Sequence, residues 1–159
     1  MSNAKQRSDD PLLQWVTFRL GTETYGIDVM FVQEVRRYTE IAPVPGADHD
    51  VLGIVNLRGS VVTVVDARVR LNHETSDITD ETRIIIVEFN GEVIGLLVDQ
   101  VSEVVYLRRS EIEGSPRISN DETKRFISGV CNKDDRLYIL LSIEKLLGQS
   151  EADMEMDLF

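Results

Sequence analysis

Gly53-Ile54-Val55-Asn56-Leu57-Arg58-Gly59-Ser60-Val61-Val62-Thr63-Val64-Val65-Asp66 is the stretch that sets the fold class. Two runs dominated by Val and Ile flank residues 56–60, polar but for Leu57, where Gly59 is suited to a positive φ. The segment reads as a β-hairpin with Arg58 at its tip. A shift of 76 residues lays Gly53 to Leu71 on Gly129 to Leu147, pairing Gly53 with Gly129, Asn56 with Asn132 and Leu71 with Leu147. The same shift sets Arg58-Gly59 against Asp134-Asp135, so one scaffold carries tips of opposite charge. A second shift, of 69, lays residues 15–35 on 84–104 and matches Glu23 with Glu92, Gly26 with Gly95 and Val29 with Val98. It also matches Val32 with Val101, Glu34 with Glu103 and Val35 with Val104. One motif is present twice.

Each copy has the same order of signals. An alternating strand (residues 15–20; 84–89) meets a Gly-containing turn and then a second strand (24–29; 92–98). A Val-x-Glu-Val segment and a loop follow. A hairpin (54–66; 130–141) and a short helical stretch (67–71; 142–147) end the copy. Five or so short strands with polar turns describe a small barrel. A half of about 60 residues buries too little surface to stand alone. The expected architecture is therefore mainly β: two packed barrel halves, about 15–71 and 84–147, joined by the acidic connector 72–82, with room for an exchange of terminal elements. Residues 1–13 read as a disordered N-terminal segment and 148–159 as an acidic, solvated C-terminal tail.

Composition agrees. The 159 residues suit one domain, and Val, Ile and Thr total 41 against five Ala, a bias that fits pleated surfaces better than helices. The net charge of −11, from 28 acidic and 17 basic residues, disfavours nucleic acid and anionic membrane surfaces. A single cysteine, Cys131, excludes an intrachain disulfide. No segment resembles a signal peptide or membrane span, so a cytoplasmic location is expected.

Catalysis is not expected. His49 and His73 lie in separate loops without metal-ligand spacing, the glycines form no phosphate-binding motif, and no local pattern makes an acid and base of Asp66, Asp99 or Glu103. No metal and no cofactor are expected. Binding segments remain: the Arg58 tip, and Val32-Gln33-Glu34-Val35-Arg36-Arg37, whose valines point toward a barrel or the crease between halves while Glu34 stands near the start of an exposed loop.

These residues resemble a family. Gly53 to Gly59 followed by Val61 to Asp66 is similar to the signature of the chemotaxis coupling proteins known as CheW. Tyr25-Gly26-Ile27-Asp28 with Val32-Gln33-Glu34-Val35 resembles the family's first half. Gly95 to Val104 and Ile143-Glu144-Lys145-Leu146-Leu147 resemble its second, so the resemblance spans residues 14–147. It implies two intertwined five-stranded barrels like SH3 domains. The implied function is a non-enzymatic scaffold of signal transduction that couples the cytoplasmic hairpin tip of transmembrane chemoreceptors to the CheA histidine autokinase, in a two-component system. The same module in a pathway controlling surface motility or a second messenger would look alike.

Carried over by position, the resemblance places receptor binding on Val32, Glu34, Val35, Arg58 and Val104, in a groove between barrels. Kinase contact is assigned to the second half at Val130, Asp134, Asp135, Leu137 and Tyr138. Arg58 is expected to make a charge-assisted bond either to the receptor backbone or to Glu34, and pairing with Glu34 is the preferred reading, since it keeps the guanidinium partnered beside apolar walls. The protein is expected to be a monomer alone and multimeric in receptor arrays at the membrane. Two positions depart from the family pattern: Thr63 stands where proline is usual, and Ala67 where leucine is usual. By segment, residues 15–71 carry −1, 72–83 carry −3, 84–147 carry −3 and the tail −4, so the half bearing Arg58 is close to neutral.

Overall fold

The computed structural model describes residues 9–114 and 124–147. Among the described residues there are ten strands: β1 (Leu12–Leu20), β2 (Glu23–Asp28), β3 (Val32–Arg37), β4 (Val51–Leu57), β5 (Ser60–Asp66), β6 (Arg83–Phe89), β7 (Glu92–Val98), β8 (Gln100–Arg108), β9 (Ile127–Lys133) and β10 (Arg136–Leu141). Short helices follow β5 (α1, Ala67–Arg70) and β10 (α2, residues 143–147). Among the described residues no helix is long and apolar enough to cross a membrane.

The strands form two five-stranded sheets, β8-β1-β2-β10-β9 and β3-β6-β7-β5-β4. Each sheet takes its β1–β2 or β6–β7 hairpin from one repeat and its other three strands from the other repeat. The repeats at 15–71 and 84–147 are therefore not themselves the barrels. Barrel A is built on β1, β2, β8, β9 and β10, and barrel B on β3 to β7. The exchanged hairpins dock by parallel pairing, β2 on β10 and β7 on β5.

This exchange explains an apolar run that simple alternation does not. Ile84, Ile85, Ile86 and Val87 are all buried, although successive residues of a strand face opposite ways. Ile84 and Ile86 fill barrel B with Val55, Leu57, Val62, Val64 and Leu97. Ile85 and Val87 face a larger core shared by both barrels, with Phe18, Leu20, Ile27, Leu96, Ile139 and Leu141. Trp15, Leu107, Cys131, Tyr138 and Leu140 fill barrel A. The strands expected to alternate thus bury both faces, as sheets covered on both sides do.

Closure of each barrel rests on a matched glycine. After β3, Ala42 bridges back to Ile54 on β4; after β8, Glu113 bridges to Val130 on β9. Each bridge exchanges two backbone hydrogen bonds of 2.8–3.0 Å. A Cβ on Gly53, whose φ is +150, would lie 2.1 Å from the Ala42 carbonyl oxygen, and one on Gly129 would lie 2.6 Å from that of Glu113. The repeated glycine is the absence of a side chain where a second backbone crosses.

A buried polar cluster joins the barrels. Arg68 of α1 grips Asp66 in a forked arrangement, Nε to Oδ1 at 3.0 Å and Nη2 to Oδ2 at 3.1 Å. Its Nη1 donates to the Ser76 carbonyl of the connector at 2.8 Å and reaches Asp99 at 3.4 Å. Asp99, at the β7–β8 crossing, in turn accepts from the Gly21 amide in the β1–β2 turn at 2.8 Å. Arg70 donates to the carbonyl of Leu146, its own counterpart under the 76-residue shift, at 2.8 Å. That bond crosses the pseudo-symmetry axis.

Residues 9–13, expected to lie outside the fold, belong to it. Leu12 and Leu13 pair with β8, and the Asp10 carboxylate accepts from the Ser110 amide and hydroxyl at 2.9 Å each. Residues 1–8 and the tail 148–159 lie outside the described residues. β5 runs unbroken through Thr63, opposite Ile54 and beside Ile94, where a proline would withdraw a backbone donor.

Two outcomes follow for urea unfolding. Arg68→Ala leaves Asp66 buried without its counterion and should lower stability by about 3–5 kcal/mol, with part recovered when Asp66→Ala is added. Gly53→Ala should cost about 2 kcal/mol or more, well beyond Gly59→Ala, because the open turn at Gly59 has positive φ but no backbone within 4 Å.

Candidate functional site

The β4–β5 hairpin turns on Arg58 and Gly59, both at positive φ (51° and 86°). Such a two-residue turn matches the twist of the flanking strands. The Asn56 side chain fixes it by accepting from the Gly59 amide at 2.9 Å. An arginine is an expensive occupant of this conformation, by about 1 kcal/mol or more relative to glycine. The equivalent turn of barrel A holds Asp134 and Asp135, also at positive φ, where short polar side chains are better tolerated.

Arg58 and Glu34 meet, as the sequence suggested. Arg58 Nη2 pairs with Glu34 Oε2 at 2.5 Å, while Nη1 lies 3.4 Å from Oε1. Glu34 is not at a loop start but in the middle of β3, opposite Ile86. Strand alternation brings a second cation onto the same face: Arg36 donates to Glu34 Oε1 at 3.0 Å. Sequence reasoning passed over Arg36, although its spacing of two from Glu34 was the available signal. The Arg58 guanidinium stays exposed, so its fork is oriented yet open to a partner.

Apolar surface surrounds this cluster. Val61, next to the tip, is 68% exposed and was not singled out from the sequence. A depression of about 470 Å³ beside it is lined by Gln33, Leu57, Arg58, Val61, Val62 and Val93, among others. Val32 is half-buried against the shared core, whereas Val35, three residues on, is exposed. Val104 is exposed at the equivalent place on β8, and Val101, the counterpart of Val32, also packs on the shared core. Both outer strands therefore leave the seam between barrels and present a valine just beyond it.

The second set of expected residues divides. Asp134, Asp135 and Leu137 are exposed around the β9–β10 turn. Val130 and Tyr138 are corrected: both are buried, Tyr138 inside barrel A and Val130 beneath the Glu113 bridge, so neither side chain offers a contact surface. Asp66 and Asp99 are committed to Arg68. His73, expected as a plain loop residue, is half-buried, with Nε2 2.6 Å from the Tyr25 hydroxyl, which also donates to Glu23 at 2.8 Å. Burial and the Glu23 carboxylate push the Tyr25 hydroxyl well above its usual range.

Comparison with known proteins finds relatives over most of the chain. The family model described as a CheW-like domain matches residues 14–151. The chain is 33% identical to the chemotaxis protein CheW of Klebsiella aerogenes, over 87% of this chain and 83% of that protein. It is 31% identical to CheW of Rhizobium meliloti, over 96% and 99% respectively. The crystal structure of the scaffolding protein TtCheW from Thermoanaerobacter tengcongensis superposes with a TM-score of 0.78 at 33% identity, covering 84% of this chain and 90% of that one.

The Glu34 cluster makes a pH prediction. Hydrogen bonds from Arg58 first and Arg36 second hold the Glu34 carboxyl down to about 2, against a usual 4.5. A depressed folded value means the pairing is fully present above pH 4.5 and is lost only as pH falls toward 2. Carbon-detected NMR should place the Glu34 carboxyl midpoint near 2, and Arg58→Ala should raise it more than Arg36→Ala does. A wild-type midpoint near 4.5 would show that the guanidinium fork is not engaged.

Proposed function

This chain belongs to the CheW-like family, and from that premise we propose how its two barrels divide the work of a chemotaxis coupling adaptor. Barrel B carries most of the receptor side, with Val104 of barrel A contributing from β8. Val35, Val61 and Val104 offer apolar surface to one face of the chemoreceptor's cytoplasmic helical hairpin, with Val32 behind them, and Arg58, held by Glu34, sets the register through charge-assisted hydrogen bonds. The observation that carries this reading is Arg58 itself. It occupies a strained turn position, is pinned by a β3 carboxylate and yet remains exposed.

Barrel A carries the kinase side in this proposal. Asp134, Asp135 and Leu137 stand at its β9–β10 turn, the place in the fold that Arg58-Gly59 occupies in barrel B, and they contact the regulatory domain of CheA. Two unlike ends of one rigid body hold receptor and kinase in a fixed relation. Tethering raises their effective concentration, and modest single contacts gain strength when repeated in an array. The protein works in the cytoplasm, recruited to membrane receptor clusters, with no small-molecule cofactor in the cycle.

Reconstitution of the protein with a receptor fragment and the kinase tests this. Wild type should join the two and make kinase activity receptor-dependent; Arg58→His should keep the fold and lose that dependence. In receptor binding, an Arg58/Glu34 double-mutant cycle should show a coupling of about 0.5 kcal/mol or more. Strictly additive losses, or a wild type that leaves kinase activity unchanged, would reject the assignment.

A further inference from the structure

Barrel A carries an apolar strip that its twin lacks. Leu13 and Trp15 of β1, with Val105 and Leu107 of β8, face the interior of barrel A. Strand alternation therefore turns Leu12, Gln14 and Val16 outward on β1, and Val104, Tyr106 and Arg108 outward on β8. The register sets Val16 opposite Val104, Gln14 opposite Tyr106 and Leu12 opposite Arg108. Tyr106 and Leu12 are thus diagonal neighbours, about 7–8 Å apart at Cα and within reach of an aromatic side chain. Both are 51% exposed, and Val104 is 43% exposed.

The strip starts in the crease between barrels. Phe18, two residues beyond Val16 on β1, lies in the shared core, and Val101 of β8 packs on it. Val16 is buried at the lip of the crease. From Val104 the strip runs outward to the level of Leu12, about 13 Å, the length of two to three turns of helix. Nearby charges are engaged elsewhere. Glu103 turns toward Arg136 at 4.0 Å, Lys133 Nζ holds the Tyr106 carbonyl at 3.1 Å and Glu111 at 3.5 Å, and Arg108 Nη1 donates to the Asp10 carbonyl at 3.3 Å.

Pseudo-symmetry shows that the fold does not require this strip. Under the 69-residue shift Val104 corresponds to Val35, Val16 to Ile85, Tyr106 to Arg37, Gln14 to Arg83 and Leu12 to Glu81. In barrel B the register is the same, Val35 opposite Ile85 and Arg37 opposite Arg83. The crease between barrels therefore has two unlike walls. Beyond its valine the barrel B wall is charged, with both signs present, while the barrel A wall continues apolar. Walls of that kind match an amphipathic helix, apolar stripe on one side and polar flank on the other.

We propose that Tyr106 and Leu12 extend the receptor site along barrel A, so that one helix of the chemoreceptor hairpin lies along β8 with its apolar stripe on Val104, Tyr106 and Leu12 and its polar flank toward Arg37. This rests on the assignment of Val104 and Arg58 to the receptor. The strip adds what the Arg58 tip does not supply. It gives the helix a direction, since only the barrel A wall offers apolar surface beyond the valine, and it makes helices with a longer apolar stripe the better partners.

The test is binding of the full chain to a soluble receptor fragment that contains the hairpin tip, followed by calorimetry and by NMR of the protein. The Leu12 and Val104 methyl signals and the Tyr106 ring signals should shift together, with one dissociation constant. Leu12→Ser combined with Tyr106→Ser should weaken binding at least fivefold, Tyr106→Phe should stay within twofold of wild type, and Val44→Ser, which removes an exposed apolar side chain from the β3–β4 loop, should change nothing. If the double variant fails to fold, each single serine variant should lose at least twofold. Unchanged binding in the serine variants would overturn the proposal. Arg58→His then separates the two readings: a loss there leaves the receptor site at the tip standing, and no loss removes both. Sedimentation in which the wild type dimerises and the double serine variant does not, with receptor binding unaffected, would also overturn it and mark the strip as a contact between copies of this chain.

Discussion

The forked bond between Arg68 and Asp66 is the interaction on which the arrangement of the two barrels depends. A guanidinium that is 5% exposed must find its acceptors inside the protein, since burying a charge without partners costs several kcal/mol. Arg68 finds them in three places that the chain visits at different times: the end of β5, the connector at Ser76 and the β7–β8 crossing at Asp99. Through Asp99 the cluster reaches the β1–β2 turn at Gly21. Among the described residues position 68 has no counterpart cluster in the other repeat, where Glu144 stands at the equivalent position. The symmetry of the backbone is thus broken at its centre by one asymmetric polar knot, which ties the connector down and fixes the angle between the barrels.

Around that knot the packing is apolar on both sides of the central strands. The repeat, the hairpins and the barrel class were legible in the sequence, because matched glycines and Val/Ile runs at constant shifts are local and periodic. The partner of each strand was not. Nothing in residues 84–87 says that one pair of side chains fills barrel B and the other pair fills a seam with barrel A, since a continuous apolar run has no preferred face. The same limit hid Leu12 and Leu13, whose place in β1 is fixed by Arg108 and Leu107 of β8, far along the chain.

The candidate site was legible to the extent that it is a hairpin tip facing a strand of opposite charge. Arg58 and Glu34 could be matched because each was conspicuous against its surroundings, a cation in a turn and a carboxylate between valines. Arg36 escaped notice because a charged residue on an outer strand is ordinary until its neighbour on that face is known. Val130 and Tyr138 were misplaced for a related reason. They flank the exposed Asp134-Asp135 turn in sequence, but the pleat turns them inward, and only the closure at Glu113 reveals which face of β9 is covered.

The exchange of hairpins carries a consequence for how such a protein arises. If a chain held one repeat alone, its β1–β2 hairpin would lack the β10-like strand it pairs with, and its three remaining strands would lack a hairpin. Two copies of that chain would satisfy each other as a domain-swapped homodimer, with Arg70-type and Leu146-type positions meeting near the twofold axis. The present fold is that dimer written on a single chain, with residues 72–82 as the splice. Fusion releases the two copies from identity, and the tips show the result: Arg58-Gly59 on one and Asp134-Asp135 on the other, a difference no symmetric dimer could hold.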